Sequence, residues 1–487
     1  MRVIKFALIV LILVTMGASS LQFSWHLVKE PPLVGYFNLK ELPTIKEFTW
    51  KKWFSEDFQE ELSSRLHDNS GLRNTMIRIN NQYDFSLFGL IHAEGFVKGK
   101  QRYLYEEDYI HEYTGEYFIG KAVIDKKLAR LKNVIDSLKA HNIPLLLVYE
   151  PGKASFFPEY IPRRFHPERR TLNNYEYMVS RSQELGIDFM DMNSYFLKMK
   201  DTARYPLFPR YGMHWSLYGV PKAVDTLKKS IEKMTGTILP GFKTSRLYHA
   251  ETPMGTDNDI GEMLNLVCPL NHEPDVYPFI VFDKTPPVTL SALVIADSYY
   301  GNIVDDFGPH MFRNQDYWYY NSKLYPYMNC NPPKYVDKSG LREKLTSYNV
   351  ILLMVSEINL HCGFWNFADE AYMAFHPEKK DPLLYGFENS IRNDRGWFRF
   401  MVKKSKIQGR PVEEMVREDA GYTFYSNYNN LPGKTYWDSV YHLAFDIRYN
   451  AEWLAKVTKK AHDWKIPVDS VVMLDAIYCY EQSKKKH

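Results

Sequence analysis

No CxxC pair occurs in this chain, and its four cysteines (Cys268, Cys330, Cys362 and Cys479) stand far apart. That spacing gives no support for a zinc ribbon or a thioredoxin-like site, so no metal and no cofactor are expected. GxSxG and HExxH are both missing, which removes the α/β-hydrolase nucleophile elbow and the gluzincin helix. Excess charge is missing too: 61 Lys and Arg oppose 58 Asp and Glu, for a formal net charge of +3. With no dense basic stripe, nucleic acid is not an expected partner. Beyond the first 23 residues, no apolar run is long enough to span a bilayer.

What is present is globular. The 487 residues are 45% hydrophobic and 24% charged, enough for two or three domains with a large core, and wholesale disorder is excluded. Aromatics reach 15%, with 36 tyrosines; stacking on sugar rings and ordinary core packing both use such residues. At the N-terminus Arg2 and Lys5 precede the uncharged stretch FALIVLILVTMGASSLQF, residues 6–23. As a helix it would rise about 27 Å, near the lower limit for a bilayer core. Positive flanks keep the N-terminus inside, so residues 1–23 read as a signal anchor in the inner membrane, with the body in the periplasm. Cleavage at Ala18-Ser19-Ser20, giving a secreted chain, is the alternative. Export would permit one or two disulfides, and four unpaired thiols are equally compatible.

Residues 24–120 form an N-terminal region expected to pack on the core. From 121 to 375 apolar strand-like runs alternate with helical periodicity: IPLLLVYEP, IDFMDM, LSALVIADSYY and YNVILLMVSEINL are the strand runs. This alternation predicts an α/β domain with an open parallel sheet flanked by helices. Residues from about 236 to 287 break the rhythm and read as an insertion. The region 376–487 is helical and duplicated: 391–422 aligns without a gap to 447–478, with eleven of 32 positions identical, including Trp397/Trp453, Pro411/Pro467 and Asp419/Asp475. Each copy reads as a helical hairpin in an appendage without catalysis.

Open parallel sheets present ligands beyond the carboxyl ends of their strands. Tyr149-Glu150, Asp191, Asp297-Ser298 and Ser356-Glu357 stand at such ends, and the stretch YGMHWSLYG carries His214 in the loop that follows Asp191. Ser298 and His214 can therefore share one rim, with Asn302 as a candidate oxyanion donor. The structural alternatives are an Asx or ST turn at Asp297-Ser298 and a packing role for His214.

Five phrases, in order, add a resemblance: SGLRNTMIRINNQYDFSLFG, VKGKQRYLYEED, EPGKASFFPEYIP, GMHWSLYG and IADSYYG. Together they are similar to the SGNH-hydrolase-like domain of the alginate O-acetyltransferase family (the AlgJ/AlgX type) over most of residues 50–360. The resemblance implies an SGNH-like fold, with Ser298 as the acetyl-accepting nucleophile and His214 as its general base. The family's third member is an Asp two residues before the His, and here that position is Gly212. Three readings follow: another acid, Glu357 or Asp191, orients His214; a Ser-His dyad suffices; or the site binds without reacting.

By that resemblance the chain is expected to transfer acetyl to an exported polysaccharide through an acetyl-serine. A membrane-bound O-acyltransferase would be the partner that delivers acetyl. The alternatives are a carbohydrate acetyl-esterase and a non-catalytic glycan-binding or scaffold subunit.

Overall fold

The computed structural model describes residues 2–25, 27–35, a few positions between 53 and 63, 71–270 and 275–485. Ten strands run in chain order as β1 (Phe96–Lys98), β2 (Leu104–Glu106), β3 (Leu145–Glu150), β4 (Phe189–Asp191) and β5 (Phe242–Ala250), then β6 (Asp275–Phe282), β7 (Ser291–Ala296), β8 (Asn314–Tyr319), β9 (Lys323–Leu324) and β10 (Val350–Ser356). Six of them make the central sheet, in the order β4-β3-β10-β7-β8-β9. All its pairings are parallel except β8 with the short β9.

The apolar runs of β3, β7 and β10 are buried on both faces, as helix-covered parallel strands must be. Their period of two divides the core. Leu146, Val148, Val294, Leu352 and Met354 face one side, packed with Ala223, Val224, Leu227 and Ile231 of the helix Val220–Thr235. Leu147, Tyr149, Leu293, Ile295, Leu353 and Val355 face the other, under Leu128, Leu131, Val134 and Leu138 of the helix Lys121–Ala140. Each such fully buried aliphatic side chain contributes about 1.5–3 kcal/mol over leaving it in water.

Two features add to the sequence expectation. The stretch between β7 and β10 is not merely a connection, because β8 joins the sheet there. The span from about 236 to 287 holds a two-stranded antiparallel ribbon, β5 with β6, and the short helix Asp259–Met263 between them. In the N-terminal region a helix, Arg73–Phe88, and the β1-β2 hairpin precede the sheet, and residues 36–52 lie outside the described residues.

Residues Arg2–Trp25 are helical where the anchor is expected, with the side chains at 2, 3, 7, 8, 11, 12, 15 and 16 outside the described residues. Among the described residues no helix is long and apolar enough to cross a membrane, so the structure lends the anchor no support. All four cysteines are free thiols, and no disulfide forms.

C-terminal to the sheet, the helices Arg395–Gln408 and Val412–Asn427 recur 56 residues later as Ala451–Trp464 and Val468–Lys485. Equivalent caps start each hairpin: Asp394 accepts from Trp397 N (2.8 Å) and Asn450 from Trp453 N (3.0 Å). Each hairpin is preceded by a further helix, Leu383–Asn393 or Tyr436–Tyr449, so the repeating unit has three helices. The copies have diverged in packing. Phe398, Met401, Val412 and Met415 of the first join the core under the sheet, whereas the second closes its own small cluster around Val440, Val457 and Val471.

Candidate active site

Ser298 follows β7 at the head of a one-turn 3₁₀ segment, Ser298–Tyr300, capped by Asp297. The Asp297 carboxylate turns down into the sheet rather than toward the rim. It accepts from Ser356 N (2.9 Å), Ser356 Oγ (2.6 Å) and Asn359 Nδ2 (2.9 Å), and from Tyr299 N (3.1 Å). These bonds lock the exits of β7 and β10 together and leave the Ser298 hydroxyl pointing away from the cap. Glu150, at the end of β3, is fully buried near Asp297, and burial with that neighbouring charge pushes its carboxyl well above the usual range.

His214 reaches Ser298 from the loop between the helices Met192–Met199 and Val220–Thr235. Its Nε2 lies 2.8 Å from Ser298 Oγ, and its Nδ1 lies 2.8 Å from Asp259 Oδ2. A carboxylate facing Nδ1 fixes the proton there, which leaves Nε2 as the acceptor for the serine hydroxyl. The other oxygen, Asp259 Oδ1, accepts from Met213 N (2.9 Å), so one side chain holds both the ring and its backbone.

The loop has further supports. Ser216 Oγ donates to Pro206 O (2.7 Å), and Leu217 N donates to Asp257 Oδ1 (2.9 Å). Lys153 is fully buried and donates to the carbonyls of Arg210 (2.9 Å) and Gly212 (2.6 Å). Burial lowers its ammonium to a pKa of about 7. Tyr299 packs edge-on against the His214 ring at 4.9 Å and against Trp215 at 5.0 Å, and its hydroxyl donates to Met213 O (3.3 Å).

The two acids expected to orient His214 are elsewhere. Glu357 accepts from Ser155 Oγ, and burial raises its carboxyl to about 8. Asp191 caps the helix Met192–Met199 through Ser194 N (2.9 Å) and Ser194 Oγ (2.6 Å), and it accepts from Tyr175 Oη (2.8 Å). Both are held at their own strand exits, with Glu357 Oε1 buried and unpartnered among the described residues, and Asp259 stands against His214 in their place. Asn302 spends one amide N–H on Thr256 Oγ1 (2.7 Å) and keeps the second.

Asp259 comes from the span read as an insertion. Its sequence signal, TDND ahead of IGEM, is that of an acidic turn starting a helix, and nothing local points it at a histidine 45 positions away.

Residues 96–289 match the family described as SGNH hydrolase-like domain, acetyltransferase AlgX. The chain is AlgJ/AlgX-like. The matched segment contains Lys153, His214 and Asp259 and ends just before the strand that leads to Ser298. Among curated proteins, the "Probable alginate O-acetylase AlgJ" of Pseudomonas putida is 23% identical over 152 residues, 31% of this chain and 37% of that relative. The chain thus matches little more than a third of that relative's length. Among solved structures, the O-acetyltransferase domain of Pseudomonas putida AlgJ is 18% identical with a TM-score of 0.37, covering 55% of this chain and 92% of that one. Pseudomonas aeruginosa AlgX is 13% identical with a TM-score of 0.34, covering 57% and 65%. In this AlgJ/AlgX-like chain the acid beside the histidine follows it in sequence.

Proposed function

We propose that this chain is an O-acetyltransferase of the cell envelope that moves acetyl onto a polysaccharide hydroxyl through acetyl-Ser298. The observation that carries the reading is the unbroken contact from Asp259 through His214 to Ser298 at a strand exit. As Ser298 Oγ attacks the carbonyl carbon of the donor ester, its proton passes to His214 Nε2. The bond to the donor oxygen breaks, and the imidazolium returns the proton to that leaving oxygen. In the second half the acceptor hydroxyl gives its proton to Nε2 and attacks the acetyl-serine. Oγ leaves and recovers the proton. Asp259 holds the tautomer that makes Nε2 the base throughout and stabilises the imidazolium. Asn302, with its remaining N–H, is a candidate donor to the oxyanion.

The polysaccharide acceptor follows the relatives' names, and a membrane-bound O-acyltransferase is the expected acetyl donor, held near by residues 1–23 if they anchor the chain. An export-dependent reporter fused after His487 should be active; activity of a cytoplasm-only reporter there would contradict this placement. The non-catalytic reading rests on Gly212, the aromatic content and the helical repeat, and Asp259 beside His214 weighs against the first of these.

The test offers the purified chain an activated acetyl ester and an oligosaccharide, then reads O-acetyl sugar against free acetate. O-acetylated sugar that depends on Ser298 supports transfer. Free acetate alone makes the chain an esterase, with water as the acceptor, and neither product leaves a binding subunit.

A further inference from the structure

Beyond the exits of β8 and β10 lies a cleft of about 880 Å³, within the range of sites that bury a sizeable organic ligand. Strand order puts it beside the proposed reaction centre, because β10 and β8 are the two neighbours of β7, which carries Ser298 at its exit, although neither Ser298 nor His214 lines it. One wall is the turn after β8, where Tyr320 N donates to Ala296 O (2.9 Å). Another is the segment after β10, where Asn359 Nδ2 donates to Asp297 Oδ2 (2.9 Å). Both walls are thus bonded to the two residues that lead into Ser298. The third wall comes from the C-terminal helices and includes Asn393.

Two of the turns are strained. Tyr320 and Asn321 (φ 50° and 51°) and Phe364, Trp365 and Asn366 (φ 63°, 50° and 65°) all sit in the left-handed region that non-glycine residues avoid. Such strain persists where surrounding bonds over-determine it, and it clusters at ligand sites. Here Asn321 Nδ2 bridges the turns, donating to Trp365 O (2.9 Å) and Glu370 Oε2 (2.9 Å). The strained turns bring the Tyr320 and Trp365 rings into the lining with the amides of Asn321 and Asn366. At the mouth Tyr335 is 61% exposed. Asn393 donates to Asn366 Oδ1 (2.9 Å), while its own Oδ1 is buried without a partner.

The chemistry of this lining selects a ligand. Lys338 is held by Glu370 at 3.0 Å, and Arg395 by Asp108 at 2.5 Å, so these cations are already answered by carboxylates. Asn321 is spent on Trp365, Glu370 and Lys338, which leaves a guest the exposed Tyr335 ring, the unpartnered Asn393 Oδ1, and the Ser322 and Lys323 side chains that also line the cleft. An aromatic face suits the C–H face of a pyranose ring, and a carboxamide oxygen accepts from hydroxyls.

We infer that this cleft binds a segment of sugar chain and presents one of its hydroxyls to acetyl-Ser298. The inference rests on the proposed function and adds the place and chemistry of acceptor recognition. Titration calorimetry on the full chain carrying Ser298→Ala tests it, with cellohexaose as a neutral probe and an unsubstituted alginate oligosaccharide as an acidic one. No turnover enters that measurement, so a Ser298 that never takes acetyl would sink the function and leave this result readable.

Binding of either probe, weakened at least fivefold by adding Tyr335→Ala and restored by Tyr335→Trp, is the expected result. Tyr335 is exposed, and an unchanged melting temperature checks that the fold survives. Absence of binding to both probes, or affinity indifferent to Tyr335→Ala, would overturn the inference.

Discussion

A Cβ added at Gly212 would lie 2.2 Å from the carbonyl oxygen of Thr256 and 2.7 Å from Pro209 Cγ. The backbone of residues 256–257 occupies the space that the family's aspartate would need, and two residues further on the same segment delivers Asp259 to His214. A side chain at 212 and this path of the 256–259 segment exclude each other.

Asp259→Asn keeps the shape of the side chain but lets its amide present a donor to Nδ1, which favours the wrong imidazole tautomer. In a serine-protease triad the same change costs roughly 10⁴ in turnover. Turnover of an acetyl ester should fall here by roughly 10³–10⁴ with folding kept, while Asp191→Asn changes it by less than tenfold. Equal losses in the two variants, or none in Asp259→Asn, would remove Asp259 from the orienting role.

Restoring the family residue should harm the protein. Gly212→Asp must displace the Thr256 carbonyl, and overpacking of this kind costs about 1–3 kcal/mol. A lower urea midpoint and no gain in turnover are expected. A variant as stable as the parent would show that the 256–257 backbone gives way easily.

The raised carboxyls set a pH dependence of stability. Glu357 keeps its proton in the fold to about pH 8, whereas it releases it near the ordinary 4.5 when unfolded. Between those values the folded state binds more protons, so stability falls as pH rises. Asp257 (raised to about 8) and Glu112 (raised to about 7), both lifted by burial, act in the same direction. Lys153 acts oppositely from about pH 7 to its ordinary 10.5, because there the unfolded chain binds more protons. The steepest loss should therefore fall between about pH 4.5 and 7. Glu357→Gln removes one contribution, so its stability relative to the parent should improve by about 1–4 kcal/mol between pH 5 and 8. Urea midpoints measured across that range check it, and parallel profiles for the two proteins would contradict it.

The sheet was legible where strands are buried on both faces. LLLVYE, SALVIA and VILLMVS read as continuous apolar runs because helices cover them, and each occupies the centre of the sheet. The run NQDYWY did not stand out, since Asn314 and Asp316 of β8 reach solvent near the sheet edge and interrupt the pattern. His214 and Ser298 could be brought to one rim because both follow strand exits, a relation that survives 84 intervening residues. Asp259 could not, because its position depends on how the β5-β6 ribbon folds back over Gly212. That is a tertiary fact with no periodicity or spacing to announce it. The cleft beside β8 and β10 was equally hidden, since its walls come from three distant stretches of chain.

The most direct test of the account is the mass of the peptide containing Ser298 after brief exposure of the full chain to an activated acetyl ester. The account predicts one added acetyl group on Ser298, absent in Ser298→Ala and formed far more slowly in His214→Ala, whose fold is retained. An acetyl label that persists on that peptide in Ser298→Ala, or a wild-type peptide that never takes one, would contradict it.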